Sequence, residues 1–474
     1  MTRLARLCAS IILIIGTAYG AARLLHAQAV AVAPDVDRLF ARFDGNTPGC
    51  AAGVSAGGRS VLQRAYGMAD LEHDIRNTPE TIFEAGSVAK QFTAAAVLLL
   101  AKDGKLSLDD PVRKYIPELP EYGSPLLIRH MLHHTSGLRD WGEIAAIGGW
   151  PRGTRVHTHA HVLDIVSRQR SLNFTPGDQY SYSNTGYNLA AMIVERVSGK
   201  PFAEFTQERI FARLGMTHTS WRDDFTRVVR NRAIAYSIGP DRRFHMDMPF
   251  ENVHGNGGLL TTVGDLLKWN ENFVTPKVGD AAFVREQQQT GTFNDGSPER
   301  YALGLGIGKY RGVREVSHSG ATAGYRAYLA RYPDQHVSIA VLCNASTAVP
   351  TEYVYKMADM YLGDAVKNAP VATPAAPRAR PQDSFHPSAA DLAVFAGAYT
   401  SDEADTTLNV VVQGDSLMLK RRPDSTTRLR PTVPDTFSAE PLGSVKFIRD
   451  AEGRVTGMSI SRDRVFDLRF TRPQ

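Results

Sequence analysis

Ser87 and Lys90 stand three residues apart in Gly86-Ser87-Val88-Ala89-Lys90. On a helix that spacing brings both side chains out one turn apart on the same side. The run that follows, Gln91-Phe92-Thr93-Ala94-Ala95-Ala96-Val97-Leu98-Leu99-Leu100, is apolar on almost every face, the pattern of a helix buried all round. A lysine on such a helix meets little water, and desolvation and the positive end of the helix dipole both disfavour its charged form. A neutral amine beside a hydroxyl is one way to make serine nucleophilic. Val88, Phe92 and the alanines argue against a lysine that snorkels to the surface. A chain of this length yields roughly one S-x-x-K match by chance, so other residues must join this one.

Two further stretches can do so. Tyr182-Ser183-Asn184 follows Phe174-Thr175-Pro176-Gly177 and opens the next long helical pattern. A tyrosine beside a cationic lysine releases its proton more readily and can act as general base. Taken alone, Tyr182 reads as an amphipathic core residue and Asn184 as a helix N-cap. His318-Ser319-Gly320 closes a strand pattern and runs into Ala321. Glycine there permits a ligand to approach the strand backbone closely, and the N–H groups of Ala321 and Ser87 could together cradle an oxyanion. Taken alone, His318 is an ordinary half-buried strand histidine.

In this order the three stretches resemble the three motifs of the penicillin-recognising serine hydrolases. The nearest likeness is to the class C β-lactamases and their relatives, the β-lactamase-like esterases and D-amino-acid peptidases. Ser87-Val88-Ala89-Lys90-Gln91-Phe92-Thr93, His134-Thr135-Ser136-Gly137-Leu138, Tyr182-Ser183-Asn184-Thr185-Gly186-Tyr187 and Gly255-Asn256-Gly257-Gly258-Leu259 are similar to the same family. The resemblance implies Ser87 as nucleophile, with Lys90 and Tyr182 sharing proton transfer and Asn184 orienting the substrate and Lys90. It places His318, Ser319, Gly320 and Ala321 at the substrate, with the Ser87 and Ala321 N–H groups as oxyanion hole. It implies an acyl-enzyme, with no cofactor and no metal. Members that act on β-lactams or D-Ala-D-Ala usually carry lysine where this chain has His318, and that lysine meets a carboxylate. Histidine is mostly neutral near pH 7, so hydrolysis of esters or of D-amino-acid peptides and amides ranks above hydrolysis of β-lactams. The rival reading is a catalytically weak receptor for penicillin or peptidoglycan fragments. Intact Ser87, Lys90 and Tyr182 favour the enzyme.

Other chemistry is poorly supported. His157-Thr158-His159-Ala160-His161 has metal-ligating residues, but its spacing suits neither H-E-x-x-H nor a zinc finger, and it reads as a solvated loop. Gly304-Leu305-Gly306-Ile307-Gly308 lacks the spacing of a dinucleotide loop. Ser136, with no lysine three residues on, reads as a structural turn.

The elements that must position these residues suggest an α+β domain. Strand patterns over 50–55 and 60–66, joined by the turn Ala56-Gly57-Gly58-Arg59, precede a helical middle. Helical patterns cover 36–43, 126–133, 160–170, 184–198, 201–211 and 352–362, and strands return over 313–317, 325–332 and 337–342. One antiparallel sheet built from both ends of this unit, flanked by a helical subdomain, fits a β-lactamase/transpeptidase-like fold. Residues 367–390 are Pro/Ala-rich and read as a linker. Residues 391–474 carry short strand patterns over 408–412, 416–420, 445–448, 455–460 and 465–470, which suit a small barrel or sandwich. Phe395-Ala396-Gly397-Ala398-Tyr399 is similar to the lipocalin-like domain that follows some of these hydrolases.

Residues 1–29 combine Arg3, Arg6 and Arg23 with an apolar run and an Ala27-Gln28-Ala29 ending, the pattern of a secretory signal peptide. A retained membrane anchor is the alternative. The expected location is secreted or periplasmic. Formal net charge is +5, and without those three arginines it is 5 − 3 = +2, so nothing points to nucleic acid as a partner. The expected partner is a small-molecule or peptide substrate, peptidoglycan-derived compounds among them. Outside the signal region only Cys50 and Cys343 remain, and a disulfide between neighbouring strands and two buried thiols are equally compatible with the sequence. The hydrolase domain is expected over residues 30–366.

Overall fold

The computed structural model describes residues 33–367 and 387–473. The segment read as a signal peptide and most of the stretch read as a linker lie outside the described residues.

Six strands build the central sheet: β1 (Cys50–Ala56), β2 (Arg59–Tyr66), β3 (Gly306–Tyr310), β4 (Val313–Thr322), β5 (Tyr325–Tyr332) and β6 (Val337–Cys343). Their order is β3-β4-β5-β6-β1-β2, with every neighbouring pair antiparallel. The two ends of this unit therefore meet at the β6–β1 pair, as the strand patterns suggest. Side chains alternate between faces with a period of two. Cys50, Ala52, Val54, Tyr328, Ala330, Ile339 and Val341 join one hydrophobic cluster, whereas Ala51, Ala327, Leu329, Ala340 and Leu342 join another. The first face is covered by the helix at 33–39 and by a C-terminal helix over Pro350–Leu362; the second carries the helical layer. Cys50 and Cys343 lie directly opposite in the β1–β6 register and form a disulfide, which decides between the two readings of these cysteines.

Four helices of that layer matter for the site: α1 (Lys90–Lys102), α2 (Trp141–Ile147), α3 (His159–Ser167) and α4 (Asn184–Ser198). α1 is entered through a 3₁₀ turn, Gly86–Ala89, and is buried without interruption from Lys90 to Leu100. It packs on α4. The histidines over 157–161 do not form the expected solvated loop. His157 is buried against the Trp141 ring, and His159 and His161 occupy the first turn of α3. There the His161 ring nitrogen accepts the Thr158 N–H, so a histidine serves as cap.

The C-terminal residues close into an eight-stranded antiparallel barrel: β7 (Gly397–Ser401), β8 (Thr406–Gln413), β9 (Ser416–Arg421), β10 (Ser425–Val433), β11 (Thr436–Ala439), β12 (Gly443–Arg449), β13 (Val455–Arg462) and β14 (Val465–Thr471). Leu408, Val410, Leu417, Leu419, Phe437, Phe447, Ile460 and Leu468 fill its interior, and closure leaves no exposed sheet edge. β7, β10 and β11 have no counterpart among the strand patterns read above, because their apolar residues are few. No helix among the described residues is long and apolar enough to cross a membrane.

Candidate active site

The serine turn is placed by close backbone approach. β3 pairs only with Val313–Ser317 of β4, so the remainder of β4, from His318 on, has that side open. The Gly86–Ala89 turn packs there. A Cβ at Gly86 would lie 2.6 Å from the Ala321 nitrogen, and one at Gly320 would land on the Ala85 carbonyl oxygen. Glycine at both positions lets the backbones of Ser87 and Ala321 converge, which is the arrangement two oxyanion donors need. Gly304 acts similarly on the other side, since a Cβ there would sit 2.7 Å from the Gln91 nitrogen at the start of α1.

Lys90 has 0% exposure, and its Nζ has three oxygen partners: Ser87 Oγ at 3.0 Å, Asn184 Oδ1 at 2.9 Å and the Asn256 carbonyl at 2.7 Å. Two of these can only accept. A neutral amine gives its two N–H groups to them and keeps a lone pair for the Ser87 hydroxyl proton. Burial pushes the Lys90 pKa well below its ordinary value; the Asp140 carboxylate works against that shift, and Arg464 and Arg152 add to it. Burial therefore favours the neutral amine, which is a base beside a hydroxyl.

Each partner of Lys90 is itself held. Asn184 opens α4, with its backbone N–H and its side-chain Nδ2 both donating to Asp140 Oδ2 at 2.9 Å. Asp140 Oδ1 meanwhile caps α2 by accepting the Gly142 and Glu143 N–H groups. Asn256 is fixed through Asn188, whose Nδ2 donates to Asn256 Oδ1, while Trp141 Nε1 donates to Asn188 Oδ1. The His134–Leu138 stretch seats the Tyr182 segment: Ser181 N–H donates to the His134 carbonyl, and Ser183 N–H to His134 Nδ1.

Tyr182 departs from the expected behaviour. Lys90 Nζ lies 4.7 Å from the centroid of its ring and interacts with the π face. Burial raises the Tyr182 pKa; contact with the Ser87 hydroxyl and the Arg464 charge only partly oppose this. Lys90 is not among the groups that lower it, and burial disfavours the charged lysine that would. Tyr182 thus stays a phenol, able to donate a proton and to pass one on.

His318 is buried and pushed down to about 4, chiefly by desolvation and then by Lys90, with its hydrogen bond to the Ser319 carbonyl opposing. Its Nδ1 donates to that carbonyl at 2.6 Å, and its Nε2 accepts from the Tyr301 hydroxyl at 2.8 Å. Both ring nitrogens are engaged by protein, so His318 shapes the strand and offers no charge to a substrate. A cleft of about 540 Å³ opens over these residues, lined by Ser87, Tyr182, Asn184, His318, Ser319, Gly320 and Ala321 among others. All eight residues singled out from the sequence, Lys90 with the seven of the cleft wall, thus meet in one place. Asp140, Asn188, Asn256, Tyr301 and Arg464 complete the arrangement and were not singled out. Asn256 lies in a glycine-rich stretch that the resemblance includes, and Asp140 precedes a short helix as an N-cap; Arg464, in a surface turn, carries no local signal. Among the described residues, the one group spaced to hold a metal ion is Asp70, Glu72 and His73, mostly exposed and outside the lining of this cleft.

Residues 36–359 match the β-lactamase family. The chain belongs to that family. The D-aminopeptidase of Gluconobacter oxydans is 30% identical over 314 residues, covering 66% of this chain and 58% of its own length; the chain thus spans little more than half of that relative. Two solved structures show the same fold. The octameric penicillin-binding protein homologue from Pyrococcus abyssi has a TM-score of 0.61 at 23% identity, over 94% of this chain and 99% of its own. The D-amino acid amidase from Ochrobactrum anthropi SV3, complexed with L-phenylalanine amide, has a TM-score of 0.58 at 23% identity, over 71% and 98%.

Proposed function

We propose that the protein is a serine hydrolase that cleaves amide or peptide bonds of D-amino-acid substrates through an acyl-enzyme on Ser87. The observation that carries this reading is the placement of Lys90 Nζ between two obligate acceptors and the Ser87 hydroxyl. The Ser87 proton passes to Lys90 as Oγ forms a bond to the substrate carbonyl carbon. The oxyanion is stabilised by the Ser87 and Ala321 N–H groups. The leaving nitrogen takes a proton from the Lys90 ammonium directly or through the Tyr182 phenol, and the C–N bond breaks. Water then attacks the ester, giving a proton to Lys90, and releases the acid with Ser87 restored. Asn184 orients Lys90. The D-amino-acid specificity and the amide chemistry are supported by the likeness to D-aminopeptidases, and the acyl-enzyme route by the buried Lys90 beside Ser87. Residues 30–366 act as the hydrolase domain and 391–474 as the barrel domain. A secreted or periplasmic location is supported by the Cys50–Cys343 disulfide, since disulfides persist in oxidising compartments.

A short-chain nitrophenyl ester, a D-alanyl anilide and a chromogenic cephalosporin, each assayed with wild type and with Ser87→Ala, test this. Turnover of the anilide that disappears with Ser87→Ala is the expected result. Absence of Ser87-dependent turnover of all three, with ligand binding retained, would make the protein a receptor.

A further inference from the structure

The turn between β13 and β14, in the barrel, reaches the cleft of the hydrolase unit, and Arg464 sits at its tip. Its backbone is anchored on both sides. The Asp140 N–H and Asn173 Nδ2 donate to the Arg464 carbonyl at 3.2 and 3.1 Å, and the Arg464 N–H donates to Glu143 Oε2 at 3.3 Å. Two residues on, Phe466 N–H donates to Asn173 Oδ1 at 2.8 Å, and Arg139 Nε and Nη2 donate to the Phe466 carbonyl at 3.2 and 3.0 Å. Arg462 pairs with Glu143 at 3.2 Å. This many bonds around one turn fix where the Arg464 side chain starts.

The side chain then lies over the site. Its Cζ is 4.8 Å from the centroid of the Tyr182 ring, and it lines the same cleft as Ser87. It is 37% exposed, and its carboxylate neighbour is a long 3.8 Å contact to Asp140 Oδ2. That oxygen already accepts two N–H groups from Asn184, so the guanidinium keeps donors to offer a ligand. The other basic groups of the cleft are wholly or partly committed. Lys90 Nζ is buried among three oxygens of the protein, and His318 has both ring nitrogens engaged. Arg152 is bound to Glu251 through two nitrogens, and Arg326 spends Nη1 on the Ala323 and Tyr325 carbonyls of its own turn.

We propose that Arg464 is a specificity-determining residue of the hydrolase cleft, supplied by the barrel, which selects substrates carrying an anionic group and disfavours those carrying a free ammonium. A planar guanidinium offers a carboxylate a two-pronged, charge-assisted hydrogen bond. The same charge, a few ångströms from Tyr182, repels an amine cation. The barrel is then part of the active site, and the anchored turn is what aligns it. The proposal rests on Ser87 being the nucleophile in this cleft.

The test uses the full chain and substrates differing only in charge: N-succinyl-, N-acetyl- and free D-phenylalanine p-nitroanilide, with N-acetyl-D-alanyl-D-alanine and its C-terminal methylamide as a second pair. Wild type is expected to prefer the anionic member within a set. Arg464→Gln, whose backbone anchors are retained, should lower the anionic-to-neutral ratio of kcat/KM at least about tenfold, mainly through KM, and raise the ammonium-to-neutral ratio. Arg464→Lys should recover part of the anionic preference. Near-UV circular dichroism of each variant checks that the barrel turn is still docked. Charge ratios that Arg464→Gln leaves unchanged, while Ser87-dependent turnover persists, overturn this proposal alone. Absence of turnover of every substrate by wild type overturns it together with the hydrolase reading.

Discussion

Replacing Asp140 by asparagine tests the chain of contacts that orients the base. In Asp140→Asn, Oδ1 can still accept the Gly142 and Glu143 N–H groups, but an amide NH₂ takes the place of Oδ2 and faces the two N–H donors of Asn184. A hydrogen bond to a charged group contributes about 1.5–3 kcal/mol, so the two lost bonds together are worth about 3–6 kcal/mol by the same measure. The α2 terminus loses a further ~0.3–1 kcal/mol of charge–dipole interaction. The Asn184 amide has to turn away, and Oδ1 leaves Lys90. If the equivalent of one such bond is felt in the transition state, kcat/KM falls roughly 10- to 150-fold. Steady-state kinetics on a nitrophenyl ester, at a temperature where the variant is fully folded, measure that loss, and urea denaturation measures the stability change. A fully folded Asp140→Asn protein with kcat/KM within about threefold of wild type and an unchanged urea midpoint would refute the reasoning.

Three further outcomes are expected. Gly320→Ala places a methyl group on the Ala85 carbonyl and pushes β4 off the serine turn; kcat should fall by about 10²–10³, the cost of losing one oxyanion donor, and a normal kcat would show that the two backbones need not converge. Glu299 is buried and its carboxyl is pushed up to about 8 by desolvation. The folded protein keeps a proton that the unfolded chain gives up near its ordinary value of 4.5, so this contribution to stability is complete below that value and is lost as pH rises to about 8. It amounts to about 3–5 kcal/mol. Glu299→Gln should therefore flatten the fall in urea stability between pH 5 and 8.5, and an identical pH profile for the variant would count against a buried protonated Glu299. The Cys50–Cys343 disulfide ties residues 293 apart, for which the chain-entropy argument gives up to about 6 kcal/mol. The double alanine variant should unfold at markedly lower urea, and an unchanged midpoint would mean that the thiols are unpaired in the folded protein.

Much of the site was legible because its signals are local. The Ser87–Lys90 spacing and the apolar run behind it lie within one helix, and burial of Lys90 follows from that run alone. The inner strands of the central sheet read as near-continuous apolar runs because both of their faces are covered, and the Gly199 that ends α4 does so in a left-handed conformation suited to glycine. The histidines at 157–161 misled because histidines at alternate positions give no local sign of burial, while Trp141 and the α3 terminus that absorb them come from folding.

Read along the chain, the residues already show a serine and a lysine sharing a buried helix start, a tyrosine–asparagine pair heading another helix, and a glycine-bearing strand to meet them. Each statement needs only periodicity and residue type. Tertiary structure decided how they are charged and aimed. Lys90 meets Asn184 and Asn256 across 94 and 166 residues of chain, and only that enclosure desolvates it towards the neutral amine and leaves Tyr182 a phenol. The disulfide and the arrival of Arg464 in the cleft likewise depend on strand register and on the docking of a distant turn. Desolvation and hydrogen bonding are set by what surrounds a group in space, and composition along the chain does not encode that surrounding in any local form.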